Sequence, residues 1–322
     1  MNKNPRIVFM GTPDFAVHTL RRLLEEGCNV VGVVTMPDKA IGRHHDVLQA
    51  SPVKQFALEK GLPVLQPEKL KDEAFLSELR ALEADLQIVV AFRMLPQVVW
   101  GMPRLGTFNL HAALLPQYRG AAPINWAIIN GETETGITTF FLDEQIDTGR
   151  IILQERTPIA LTDDAEAIHD KLMVQGAELV VRTIRLIESG EATSTDQSQF
   201  MTDEPLRPAP KIFKDTCLIR WQELTLKGAY DFIRGLSPYP AAWTPVTTAT
   251  GKQTDMKVFR TAMIEAEPQE APGTLLSDGK TYVRIALPGG YLSLEEVQLS
   301  GKKRMPIADL LRGTGLASLR SE

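Results

Sequence analysis
Short apolar runs alternate along the first half of this chain with longer segments whose apolar residues recur at helical spacing. Residues 6–10 form an unbroken apolar-rich run and read as a buried first strand. Gly11-Thr12-Pro13-Asp14 supplies a turn, and residues 15–26 show helical spacing with Phe15, Leu20, Leu23 and Leu24 apolar. Residues 29–35 predict a second strand. Ser51-Pro52 reads as the cap and first turn of a helix through residue 60. A short strand is expected at Val64-Leu65, and residues 72–82 carry Phe75, Leu76, Leu79 and Leu82 at amphipathic helical positions. Residues 86–91 are nearly all apolar, as a central strand covered on both faces should be. Strands alternating with helices predict an α/β domain of Rossmann-like type, with a largely parallel sheet. A dinucleotide site would need G-x-G-x-x-G after the first strand; only Gly11 is present there, which disfavours a dehydrogenase.

The pattern changes in the second half. Residues 164–188 show helical apolar spacing and close the first domain. Residues 190–210 then bring Gly190, Thr193, Ser194, Thr195, Ser198, Pro205, Pro208 and Pro210, the composition of an extended linker. Beyond it the strands are short and broken by turn residues, at 219–221, 243–248, 257–259, 282–286 and 291–297, with one helix at 228–236. That pattern predicts a small C-terminal β-barrel. The expected organisation is a catalytic domain at 1–189, a linker at 190–210 and the barrel at 211–322. Tyr239 and Trp243 are read as core aromatics.

Composition narrows the class. The chain has 322 residues, 43% hydrophobic, enough for two domains with separate cores. The two cysteines, Cys28 and Cys217, have no CxxC spacing, so neither a disulfide scaffold nor a zinc ribbon is expected. No run approaches the length of a membrane span, and no signal segment is read at the start. A cytoplasmic protein is the expectation. The formal charge of −5 is unevenly spread. Residues 207–322 hold 16 Lys/Arg against 12 Asp/Glu, whereas residues 1–206 hold 19 against 28. A mildly basic C-terminal part permits phosphate contacts there.

The candidate chemistry lies in residues 108–123. Alternating apolar and polar residues open this stretch as a strand, and Asn109 and His111, two apart, point to the same face. Leu114-Leu115-Pro116 ends the strand, Tyr118-Arg119-Gly120 turns, and Pro123 opens a helix through residue 130. An amide and an imidazole thus stand together at the carboxyl end of a strand, where open α/β sheets place their ligands. Residues 136–142 read as another strand, residues 151–159 as extended chain, and the intervening loop 143–149 carries carboxylates. An Asp from that loop could orient His111 and stabilise its charged form.

Taken in order, Asn109-Leu110-His111, Leu114-Leu115-Pro116, Arg119-Gly120-Ala121-Ala122-Pro123 and Asp147-Thr148-Gly149 resemble the formyltransferase family that uses 10-formyltetrahydrofolate. Gly11 to Ala16, the loop with Pro37-Asp38-Lys39, Gly42-Arg43 and Ser51 to Lys54, and the segments 234–243 and 271–274 resemble the branch that formylates initiator methionyl-tRNA. The resemblance implies a Rossmann-like formyltransferase domain followed by an OB-fold-like barrel that binds tRNA. It also implies a metal-free transfer of formyl from 10-formyltetrahydrofolate, in a monomer. It makes Asn109, His111 and Asp147 the catalytic set, with Phe92, Arg93, Ala113, Leu114, Leu115 and Pro116 at the folate. The tRNA contacts implied are Lys39 and Arg43 in the loop 36–51, and Lys302, Lys303 and Arg304 in a basic turn. Three departures from the family pattern stand out. Phe92-Arg93 replaces Tyr-Gly, Ala113 replaces Ser, and His44-His45-Asp46 is less basic than usual. The adjacent histidines, without further matched ligands, read as solvated rather than metal-binding. The first-domain motifs alone would also suit a formyltransferase acting on an amino-sugar nucleotide or on glycinamide ribotide. A non-catalytic RNA-binding protein on the same fold is a further alternative, which the intact Asn109, His111 and Asp147 argue against.

Overall fold
The structure is a computed structural model of the chain, and it describes residues 4–41 and 47–319. It divides into two compact units. The first comprises residues 1–120, 135–157 and 169–208, and the second residues 121–134, 158–168 and 209–322.

The first unit is built on a seven-stranded sheet. In spatial order its strands are Val64–Leu65, Val30–Val34, Ile7–Gly11, Leu86–Val90, Thr107–His111, Glu134–Phe141 and Ile151–Pro158. The first four pairings are parallel, and the pairing of Thr107–His111 with Glu134–Phe141 is antiparallel. The two central strands, IVFMG and LQIVV, are buried at every position. That is why they read as continuous apolar runs rather than as alternating ones. Helix Asp14–Glu25 follows the first strand directly. The turn between them needs glycine, because a Cβ on Gly11 would lie 2.6 Å from the Ala16 Cβ and 2.9 Å from the Val90 carbonyl oxygen. Ser51 caps helix Pro52–Glu59 by accepting from the Lys54 amide, and Asp72 caps Glu73–Ala81 by accepting from Ala74.

One carboxylate pins the entry to the two central strands. Asp85 accepts from the Arg6 amide at 2.9 Å and from Arg104 Nε at 2.7 Å, and its side chain is 15% exposed. The Arg6 amide above all, with Arg104 in addition, holds its carboxyl below the usual range against the opposing effect of burial. A depressed native value means that the stabilisation is present above the unfolded-state value and is lost as pH falls through the native one. Asp85→Asn is therefore expected to lower stability by about 1.5 kcal/mol at neutral pH. The difference should narrow progressively below about pH 4, and urea unfolding of both proteins across that range measures it.

The second unit holds an antiparallel, nearly closed barrel. Its strands run in the order Leu275–Ser277, Val283–Leu287, Gly290–Leu299, Gln253–Glu265, Ala242–Thr248 and Leu316–Leu319, with Met305–Pro306 beside Gly290–Leu299. Helix Leu226–Leu236 packs on its core through Leu226, Ala229, Ile233 and Leu236. Segments 121–134 and 158–168 join this unit through that helix. Asn125 donates to the Gly235 carbonyl at 2.8 Å, and Arg234 donates to the Asp163 carbonyl at 2.6 Å while pairing with buried Asp231 at 2.8 Å.

Several local expectations change. Residues 219–221 do not form a strand. Trp221 opens a 3-10 turn, Trp221–Glu223, because its indole is buried and donates to Thr244 Oγ1 at 2.9 Å. The strand expected at 257–259 runs from Gln253 to Glu265, and register shifts between Val258 and Thr261 hide its period. The polar loop 36–51 contains a hairpin, Lys39–Ile41 with Val47–Gln49. Tyr239 is 83% exposed and is not a core residue, whereas Trp243 is partly buried and packs against the barrel core. The short helices Gln97–Trp100 and Ile307–Gly313 add to the elements expected from the sequence. Among the described residues no helix is long and apolar enough to cross a membrane.

Candidate functional site
Strand Thr107–His111 carries Asn109 in register with Val89 on one side and Phe140 on the other. Val90 of the neighbouring strand pairs with Leu110, so the two strands end side by side. His111 is the last residue of its strand and is 7% exposed. Its Nε2 lies 2.8 Å from the Tyr118 carbonyl oxygen. A carbonyl only accepts, so Nε2 carries the hydrogen and Nδ1 is the nitrogen left to exchange a proton. Nδ1 lies 3.8 Å from Asp147 Oδ2. The same Oδ2 accepts from the Gly120 amide at 2.9 Å. The Phe140 ring stands edge-on to the imidazole at 6.5 Å between centroids. Asn109 is half-buried, and its side-chain amide makes no hydrogen bond to another described residue. Donor and acceptor are thus both available to a ligand.

The frame around these residues is cross-braced. Thr138 Oγ1 donates to the Ala113 carbonyl at 2.6 Å. Gln154 Nε2 donates to the Leu115 carbonyl at 2.7 Å and to Thr138 Oγ1 at 3.0 Å. Tyr118 and Asp147 sit at φ of +59° and +55°, left-handed conformations that cost a non-glycine residue about 1–2 kcal/mol each. Such positions persist where the surroundings over-determine them, and they cluster at functional sites.

The remaining predicted residues fall as follows. Phe92 and Arg93 succeed strand Leu86–Val90, beyond Ala91 at φ +48°. Arg93 turns its guanidinium onto the Glu68 carbonyl at 2.8 Å and onto the Pro67 carbonyl, and burial pushes its pKa down. Met94, next in the chain, is exposed. Ala113, Leu115 and Pro116 are buried and Leu114 is half-buried. Lys39 is exposed on the hairpin of the first unit, and Arg43, with His44, His45 and Asp46, lies outside the described residues. Lys302 and Lys303 are exposed in a turn of the second unit, while Arg304 is paired with Glu296 at 2.7 Å and lies over the Phe259 ring. That unit also has a cleft of about 570 Å³ between exposed Phe213 and Tyr239, with Trp243, Lys214, Lys257 and Gly301 on its walls. Thr138, Gln154 and Gln197 carry no signal of their role in the sequence. Their type is common in loops and strands, and only the carbonyls they reach distinguish them.

Similarity to known proteins extends along nearly the whole chain. The family described as Formyl transferase matches residues 5–184, and that described as Formyl transferase, C-terminal domain, matches residues 211–315. A Parabacteroides distasonis protein named methionyl-tRNA formyltransferase is 62% identical over 309 residues, 96% of this chain and 95% of that protein. A Bacteroides thetaiotaomicron protein of the same name is 60% identical over 312 residues, 97% and 96% of the two chains. Among solved structures, the sugar 3N-formyltransferase WlaRD, crystallised with dTDP and 5-N-formyl-THF, has a TM-score of 0.63 at 18% identity. It covers 93% of this chain and 99% of its own, a likeness of fold. With both family regions matched and such identity across nearly the full length, the chain belongs to the formyl transferase family and, within it, to the methionyl-tRNA formyltransferases.

Proposed function
We propose that the chain transfers a formyl group from 10-formyltetrahydrofolate to the α-amino group of initiator methionyl-tRNA, and that Asn109, His111 and Asp147 carry the step. One observation carries the reading: an amide with no hydrogen-bond partner among the described residues stands two residues before an imidazole whose Nε2 is occupied and whose Nδ1 faces a carboxylate. The amine attacks the formyl carbon, a tetrahedral oxyanion forms, and the folate N10 departs with a proton. Asn109 donates to the formyl oxygen as its charge grows, which is where a fixed donor contributes most. His111 takes up the amine proton through Nδ1 or stabilises the oxyanion when charged. Asp147 holds the ring and stabilises its charged form. The folate side has support in this chain: exposed Met94 follows Phe92 and Arg93 at the carboxyl end of the central strand, an apolar surface suited to a flat heterocycle.

The tRNA surface is proposed at Lys39 and Arg43 in the first unit and at Lys302, Lys303 and Arg304 in the second. The cleft of the second unit, with exposed aromatic rings beside Lys214 and Lys257, suits unpaired nucleotides. The double substitution Lys302→Glu, Lys303→Glu should raise KM for tRNA about tenfold and lower the salt dependence of binding by a slope of about 1.5 to 2. KM for the folate should not change, and steady-state kinetics at several salt concentrations checks both.

The functional test is incubation of the protein with 10-formyltetrahydrofolate and charged initiator tRNA, with elongator methionyl-tRNA as control. Formylmethionine on the initiator alone is the expected result. No formylation of either tRNA, with the folate bound, would replace this reading by a formyltransferase acting on a small amine, such as an amino-sugar nucleotide. Absence of folate binding as well would leave a non-catalytic RNA-binding protein.

A further inference from the structure
Residues 190–208, whose composition suggests a plain linker, belong to the first unit. Within them, Gln197 opens a 3-10 turn and is only 3% exposed. Its amide nitrogen donates to the carbonyls of Asp147 and Gly149, each at 2.8 Å. Its oxygen accepts from Arg119 Nη2 at 2.6 Å and Nε at 3.2 Å. Both donors and both acceptor positions of the amide are therefore used. Asp147 is the residue held at φ +55°, and its carboxylate is tied to the Gly120 amide, next to Arg119. Gln197 thus grips the loop that bears the carboxylate and the turn that receives it. Ten residues later the same segment holds the other side of the imidazole. The Arg207 carbonyl accepts from the Tyr118 amide at 2.7 Å, and the Arg207 amide donates to Gln117 Oε1 at 2.8 Å. Tyr118 is the residue whose carbonyl receives His111 Nε2.

We propose that Gln197 is a positioning residue for formyl transfer, setting the Asp147 carboxylate against His111, and that residues 190–208 are part of the catalytic apparatus rather than a connector. The inference rests on the roles assigned above to His111 and Asp147. A glutamine buried among carbonyls can equally serve only to hold the fold, and the two roles differ in whether its effect depends on the Asp147 carboxylate.

The test is a double-mutant cycle on the full chain, read by formylation kinetics with thermal melting alongside. Gln197→Ala is expected to lower kcat about 10- to 100-fold, because supporting shells that misplace a reacting group by an ångström cost that much. KM for both substrates should stay within about threefold, since no ground-state contact is removed. In the Asp147→Asn background, where the carboxylate is already gone, the same substitution should cost less than about threefold. Gln197→Glu keeps the size and the acceptor for Arg119 but replaces both donations by repulsion, and it should reproduce the loss. A kcat within threefold of native for Gln197→Ala, or an equal loss in both backgrounds, overturns the inference alone. Near-native turnover of Asp147→Asn overturns the reading of the site, and the inference with it. If neither Gln197 variant folds, the role is structural and the inference fails.

Discussion

Asn109→Ala is expected to lower kcat by about 100- to 1000-fold, the loss found when one oxyanion donor is removed from a preorganised site. Structure and chemistry separate cleanly at this position. The Asn109 amide is half-buried and bonds to no other described side chain or carbonyl, so its removal leaves no buried group without a partner. The backbone of strand Thr107–His111 keeps its pairing with Gln87–Val90 and Thr138–Phe141. Melting temperature should therefore hardly move while turnover collapses. Because the charge on the formyl oxygen develops only as the amine attacks, the loss should fall on kcat and kcat/KM together and leave KM for the folate nearly unchanged. His111→Ala should cost at least as much in rate, and here stability falls too. The substitution removes the 2.8 Å hydrogen bond from Nε2 to the Tyr118 carbonyl and opens space beside Phe140. Steady-state kinetics with both substrates varied, paired with melting curves, measures both contrasts. Either variant retaining turnover within tenfold of native would remove its residue from the transfer step.

Much of the fold could be read from the residues. The apolar-rich runs at 6–10 and 86–91 gave the central strands because both faces of those strands are covered. The cap Ser51 gave a helix start because its short oxygen-bearing side chain satisfies one of the first amides, whereas the cap at Asp72 emerges only from the structure. Asn109 and His111 were legible as a pair because a strand repeats every two residues. What failed to show follows from the same physics. The long strand Gln253–Glu265 contains shifts of register, which erase the period that would identify it. Tyr239 has the type of a core residue, and only the turn that carries it, after Ser237-Pro238, exposes it. Gln197 sits among serines and threonines with no periodic signal. Its importance lies in two carbonyls 48 and 50 residues earlier in the chain, a relation that composition does not encode. The 3.8 Å approach of Asp147 to His111 is of the same kind: the resemblance named the residue, while its left-handed backbone and the amide of Gly120 explain how it arrives there.

Gly149→Ala is expected to destabilise the first unit by about 3 kcal/mol or more, at the upper end for overpacking. A Cβ at this position would stand 1.7 Å from the Phe141 carbonyl oxygen, 2.9 Å from its carbon and 3.4 Å from Phe140 Cδ2. None of these can give way easily. The Phe141 amide is bonded to the Arg150 carbonyl at 3.0 Å, which locks the strand against the chain just past the glycine. Phe140 is completely buried. The added methyl must therefore push its own segment away, and that segment carries Asp147 two residues earlier and the Gly149 carbonyl held by Gln197. Activity should fall with stability, by a route different from that of Asn109. Gly61→Ala supplies the control. Gly61 has φ +68° but nothing within 4 Å of the added atom, so only the backbone cost of about 1 kcal/mol applies and activity should be native. In urea or thermal unfolding, Gly149→Ala should thus lose about three times as much stability as Gly61→Ala. Equal losses in the two variants would mean that the loop bearing Asp147 yields to the added methyl, and that the close approach of Gly149 to Phe141 does not fix the carboxylate.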